Sequence, residues 1–208
     1  MKKVIMSVLA SLAFASTAFA ATPGMDVAAG QTQLGYSYSN LQTTASGLGD
    51  LGSFHANSYQ AAYGVNDKFA LTGDYLGSQS KSFYYGGSYA LDDFNYNNTE
   101  IGLQYKVNNN LALSVGNVKS EINGIDNNYA VTASTNEMYG GIAYKAALAN
   151  NMDGYASYIR SSNVQDGKVG VNYHLNNNAT VDLGYRYFEN EGLGIKGKGA
   201  SVGVNYKF

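Results

Sequence analysis

His174 is the side chain here best suited to proton chemistry, since a neutral imidazole works as a general base near pH 7. It follows a tyrosine, and Lys106, Lys145 and Lys207 stand in the same place after Tyr105, Tyr144 and Tyr206. A hydrolase needs its histidine within reach of a nucleophile or a carboxylate. No serine lies two residues beyond His174 and no acidic partner is evident; Asn176 and Asn177 follow instead. His55 falls in an expected loop. We therefore assign no catalytic residue and expect no enzyme. Asp92-Asp93 and Asp126-Asn127-Asn128 are oxygen-rich but read as solvated loops rather than Ca²⁺ sites. No phosphate loop, zinc spacing or dinucleotide fingerprint occurs, so neither cofactor nor metal is expected. The net charge of -2 predicts no nucleic-acid partner.

The remaining chemistry is electrostatic. If the basic residues share one side of a sheet, Lys106, Lys145, His174 and Lys207 form a ring with Asp153, Asp182 and Arg186. Charges in a narrow enclosed space are costly unless paired or hydrated. The ring is expected to pair into a lattice that stiffens and partly plugs its enclosure. The alternative is a mildly selective ring lining a small conduit. Lys145 is expected opposite Asp153. Lys168 and Arg186 are expected neighbours that need a counterion, for which Glu137 and Glu100 are candidates.

Such a ring requires strands. Apolar residues alternate with small or polar ones at Ile101–Val107, Val169–Leu175, Val181–Tyr187 and Val202–Phe208, and less cleanly elsewhere. About ten strands result, with eight and twelve as alternatives. Each is of the 9–11 residues that a tilted membrane strand needs. Tight turns fall at Asn66-Asp67-Lys68, Asn108-Asn109-Asn110 and Asn176-Asn177-Asn178, with a fourth near Ala147–Asn151. Longer connections are expected at about 42–54, 77–98, 119–135, 161–166 and 190–196. Residues 80–91 are expected as a loop or a hairpin extension rather than an extra strand pair. Short turns at one end and long loops at the other fit a barrel with both termini on the short-turn, periplasmic side.

Three features favour a membrane over a soluble sandwich. Residues 1–20 read as a signal peptide: Lys2 and Lys3, an apolar run, and a cleavage site at Ala18-Phe19-Ala20. The polar face is mostly Gly, Ser, Asn, Gln and Ala. Tyrosine recurs at one depth, at Tyr63, Tyr105, Tyr144, Tyr173 and Tyr206, as an interfacial girdle would. The chain has 0 cysteines, so closure falls to hydrogen bonding and packing. Its 1 proline, Pro23, precedes the first strand, so every ladder donor is kept. Residues 21–29 are expected as a periplasmic lead-in and 30–208 as the barrel.

The chain thus resembles the small bacterial outer-membrane β-barrels of the OmpA/OmpX and opacity-protein type. The resemblance rests on the all-β up-and-down pattern and on the final strand, with Val202, Val204, Tyr206 and Phe208 on one face. That strand looks like the assembly signal read by the barrel-assembly machinery. The resemblance implies outer-membrane localisation, lipid around the barrel and that machinery as a partner during biogenesis. It further implies long loops that face the environment and any extracellular partner. A filled structural or interactive barrel is the expected role, a narrow diffusion channel the alternative, and an outer-membrane hydrolase the third.

Overall fold

The computed structural model describes residues 25–47, 49–79, 83–85, 89–126 and 129–208. The expected signal peptide and its cleavage site lie outside them. Among the described residues eleven strands are formed: β1 (Thr32–Ala45), β2 (Gly49–Gly64), β3 (Phe69–Gln79), β4 (Phe83–Tyr85), β5 (Tyr89–Lys106), β6 (Leu111–Asp126), β7 (Tyr129–Ala149), β8 (Met152–Arg160), β9 (Val164–His174), β10 (Ala179–Asn190) and β11 (Ile195–Lys207). All neighbours are antiparallel. The β1–β11 and β3–β5 pairings close ten of the strands into a barrel. The three-residue β4 pairs only with Tyr89–Leu91, so this part of residues 80–91 is a hairpin extension; residues 80–82 and 86–88 lie outside the description.

The barrel is staggered. Partners followed once round from Tyr63 run through Leu103, Gly140, Arg160, Gln165, Glu189 and Thr44 and return to β2 at Asp50. A stagger of that size tilts the strands by roughly 40°. Outward residues are apolar from Val65, Val107, Leu175 and Phe208 up to Tyr59, Ile101, Val169 and Tyr187. At about 3.3 Å per residue and that tilt, the band is roughly 15 Å tall on β2, β5 and β9 and roughly 25 Å from Phe208 to the level of Tyr187, where outer-membrane barrels carry about 25 Å. Ile101 and Leu183 leave 65% and 62% of their surface exposed there. A soluble fold would bury such side chains.

The tight turns are built by asparagine side chains. Asn66 Oδ1 accepts from the amides of Lys68 and Phe69, both at 2.9 Å. Asn108 does the same for Asn110 and Leu111, and Asn176 for Asn178 and Ala179. Asn110 Nδ2 and Asn178 Nδ2 then cap the carbonyls of Lys145 and Lys207 on the next strand, at 2.8 and 2.9 Å. The tyrosine–basic–aliphatic–asparagine repeat is therefore a strand end locked to its neighbour's turn.

Three expectations are corrected. The long connections are mostly strand: β1 and β2 meet within four residues, β6 runs to Asp126, and the β8–β9 connection spans 161–163. Hairpins propagate past the apolar band because ladder bonding continues while the outward residues become Asn, Ser, Gln and Lys. His55 lies on β2, not in a loop, and stacks on Tyr38 at 5.7 Å. The fourth short turn is Asn150-Asn151, with a bulge between Ala147 and Ala149. The bulge places Asp153 opposite Ala147, so Lys145 faces Tyr155 instead.

Candidate functional site

The lumen holds three layers. At the short-turn end, Met25–Gln31 lies across part of the mouth. Val27 packs against Ala62 and Ala70, and Met25 against Ala112 and Ala143. The wall is trimmed to receive the segment: a Cβ on Gly64 would overlap the Ala28 carbonyl. Gly30 donates its amide to the Gly64 carbonyl at 2.7 Å, and Gly64 donates to Gln31 at 2.9 Å. Lys106 Nζ donates to the Val27 carbonyl, and Lys145 pairs with Asp26. Asp26 was not legible as the partner of Lys145, being 119 residues away.

On the other half of the mouth, His174 Nε2 meets Asp153 Oδ2 at 2.8 Å, and its Nδ1 stands 3.3 Å from Thr180 Oγ1. This corrects the reading that His174 lacks an acidic partner. The three residues come from β8, β9 and β10 and fasten those strands side by side. Lys207 also faces this mouth. Asp182, one step up, bonds the Tyr155 hydroxyl.

Further up stands the most buried charge cluster. Arg186, 3% exposed, is held to Asp166 through Nε at 2.8 Å and through a second, guanidinium-end bond. Its Nη1 donates to Ser58 Oγ at 2.9 Å. Asp74 and Glu100 lie 3.7 and 3.8 Å from its terminal nitrogens. Lys168 pairs with Asp74 across the lumen, and the Gln60 amide donates to the same carboxylate from the adjacent strand. Lys168 and Arg186 are the neighbours expected from the sequence. Their counterions are Asp74, Asp166 and Glu100; Glu137 instead accepts from Ser161 and Asn163 in the β8–β9 turn. Arg186 therefore belongs to this cluster and not to a ring at the mouth. A cavity of about 60 Å³ adjoins it, bordered by Gln104, Ser114, Tyr139 and Lys168. Asp74 Oδ1, Asp166 Oδ1 and Gln104 Oε1 have no hydrogen-bond partner. All three are acceptors, and the volume suits a few water molecules.

The third layer is apolar. Leu41, Phe54, Leu76, Phe94, Tyr96, Phe188 and Ile195 form one buried cluster toward the long-loop end. Phe188 stacks on Tyr96 at 4.8 Å, and Phe54 meets Phe94 edge-on at 5.8 Å. Glycines make room for the large rings. A Cβ on Gly197 would strike Phe188; one on Gly102 or Gly116 would strike Tyr139; one on Gly170 or Gly184 would strike Tyr155. These rings were missed in the sequence reading, although Phe188 shares the inward parity of Arg186.

The other expected residues are placed as follows. Tyr63, Tyr105, Tyr144, Tyr173 and Tyr206 all point outward at short-turn strand ends. Val202, Val204 and Tyr206 face outward on β11, as does Phe208 just past its end, and the Phe208 amide donates to the Thr32 carbonyl at 2.8 Å. The side chains of Asp92-Asp93 and of Asp126-Asn127-Asn128 lie outside the described residues. Among the described residues no group of His, Cys, Asp or Glu is arranged to hold a metal ion.

No family model and no curated protein matches the chain. Solved structures do. The translocator domain of the autotransporter NalP from Neisseria meningitidis aligns with a TM-score of 0.52 at 11% identity, over 88% of this chain and 90% of that one. The attachment invasion locus protein Ail of Yersinia pestis aligns at 0.49 and 14%, over 86% and 99%. Neisserial surface protein A aligns at 0.49 and 17%, over 88% and 99%. The likeness is one of fold: the chain is a small closed up-and-down β-barrel.

Proposed function

We propose that this protein is an integral outer-membrane barrel with a non-enzymatic, structural or surface-interaction role and a filled lumen. The observation that carries the proposal is the stacking of three layers in one barrel: a terminal segment in the mouth, a salt-bridge cluster above it, and an aromatic layer above that. Each layer narrows a ten-strand barrel, and their stacking along one lumen is what supports a filled rather than an open interior. This weighs against the diffusion channel. The His174–Asp153–Thr180 arrangement weighs little for a hydrolase, since Thr180 is buried and the group ties three strands together.

In this reading residues 1–20 export the chain, with cleavage after Ala20, and residues 21–29 approach the barrel from the periplasm. The tyrosines at the short-turn ends act as the interfacial girdle. The β11 face ending in Phe208 is the signal for the assembly machinery, and lipid surrounds the band. The interactive part is the long-loop rim. There β7 runs on past the end of β8: its pairing with β8 stops at Gly140–Arg160, while its pairing with β6 continues to Tyr129. Among the described residues, Ala130, Thr132, Ser134, Asn136 and Met138 thus offer ladder donors and acceptors at an open edge. A surface partner can use such an edge.

Conductance in planar bilayers tests the proposal. Electrical silence of the folded protein is expected. Steady single-channel steps that change with Lys106 or Lys207 substitution would establish the channel instead.

A further inference from the structure

The most buried part of the lumen is short of positive charge. Asp74, Glu100 and Asp166 gather round Arg186, and Asp182 lies one step below them; all four are buried. The cations that face them are Lys168 and Arg186. The other inward basic groups stay at the short-turn mouth, where Lys106 is held by the Val27 carbonyl, Lys145 by Asp26 and His174 by Asp153. Lys207 faces that mouth as well. Hydrogen bonding is short in the same sense. Among the described residues the buried side-chain atoms without a partner include Asp74 Oδ1, Asp166 Oδ1, Gln104 Oε1 and Asp182 Oδ2, and every one of them is an oxygen.

Asp74, Gln104 and Asp166 border the cavity of about 60 Å³, together with Glu100, Ser114 and Lys168. Water there meets the geometry but not the charge. A water molecule donates to such oxygens and stays neutral, whereas a buried carboxylate without a matching cation is costly. A small cation meets both deficits. At the cavity three carboxylates stand against two cations, so one positive charge balances them. A doubly charged ion would overshoot, and Lys168 and Arg186 would repel it twice as strongly. Two carboxylates with an amide and a hydroxyl form a hard, oxygen-only set that falls short of the carboxylate-rich shell of a calcium site.

We propose that this cavity binds one small alkali-metal cation, with Asp74 Oδ1, Asp166 Oδ1 and Gln104 Oε1 as its protein oxygens. Glu100 supplies the surplus charge. It lies 3.8 Å from the nearest Arg186 nitrogen and accepts from the Asn98 amide at 2.8 Å, whereas Asp166 and Asp74 are bonded directly to Arg186 and Lys168. The inference rests on the filled-lumen reading above and names the ion class that completes the filling.

Urea unfolding of the protein in neutral-lipid vesicles is followed at fixed pH and ionic strength while sodium chloride replaces choline chloride, whose cation is bulky and organic. Sodium is expected to stabilise the wild type, with the folding equilibrium constant rising in proportion to sodium once the ion exceeds its dissociation constant. Glu100→Gln keeps the volume and an acceptor for Asn98 and removes the surplus charge. It is expected to be at least as stable as the wild type in choline and to lose the sodium response. Gln104→Leu keeps the charge and removes one oxygen from the ion. It is expected to need about tenfold more sodium for the same stabilisation, as the loss of one ligand would give. Lys119→Gln, on the outer face, should keep the full response. A wild type equally stable in choline and in sodium up to molar concentration leaves water as the occupant and overturns the inference. A full sodium response in Glu100→Gln or in Gln104→Leu overturns it too, since the ion would then bind elsewhere. Heat-modifiability on a gel checks that each protein is folded. Single-channel steps would sink the filled-lumen reading itself, whereas a silent barrel indifferent to sodium sinks this inference alone.

Discussion

Replacing Arg186 with methionine tests whether the salt-bridge cluster holds the barrel together. Methionine keeps much of the volume and removes the charge. The variant loses two bonds to Asp166 and one to Ser58, and leaves Asp74, Asp166 and Glu100 facing Lys168 alone. Breaking one partner out of a buried ion pair costs about 3–5 kcal/mol, because the remaining charge stays desolvated and unmatched. The three lost bonds, at about 1.5–3 kcal/mol for each bond to a charged group, set an upper bound of about 4.5–9 kcal/mol, which rehydration through the neighbouring cavity lowers toward that range. The chain has 0 tryptophans, so urea unfolding in lipid vesicles is best followed by circular dichroism together with gel heat-modifiability. Adding Asp166→Asn to Arg186→Met removes the carboxylate that loses both of its guanidinium bonds and should recover part of the loss. A single variant that costs under about 1 kcal/mol, or a double variant less stable than the single, would refute the view that unmatched charge sets the cost.

The lipid-facing assignment predicts that Leu103→Arg loses about 2–4 kcal/mol, as arginine does near a bilayer midplane. Gln104→Arg should be milder, because the new cation enters a lumen already rich in carboxylate; equal losses would reverse inside and outside. Gly64→Val should expel Met25–Gln31 from its socket, making that segment cleavable by added protease in a barrel that remains heat-modifiable. Protection equal to wild type would show that the socket is not what holds the segment. Deleting Phe208 should reduce insertion in cells far more than it lowers the unfolding midpoint of protein refolded in detergent, and normal insertion of the truncation would remove the assembly role of the last strand.

Much of the fold was legible residue by residue. The facing of Val169, Val171 and Tyr173 against Lys168, Gly170 and Asn172 follows from parity, since a strand turns its side chains by half a revolution each step. The same arithmetic placed three of the four tight turns and the Lys168–Arg186 neighbours. It failed at Lys145 because one bulged residue, Leu148, shifts everything beyond it. It also failed at the long connections, because polar outward residues look like loop even where a hairpin ladder continues.

By itself, the sequence determined which side chains face outward, that about ten strands cross, and where three of the short turns lie, because each of these depends on neighbours a few residues apart. Closure of the barrel decided the rest. Lys168 meets Asp74 from 94 residues away, and Arg186 meets Ser58 from 128. Such contacts depend on the stagger and radius of the whole ring, which no local pattern encodes. The filling of the lumen is a property of that geometry: the same inward residues on a wider or differently sheared barrel would line a pore.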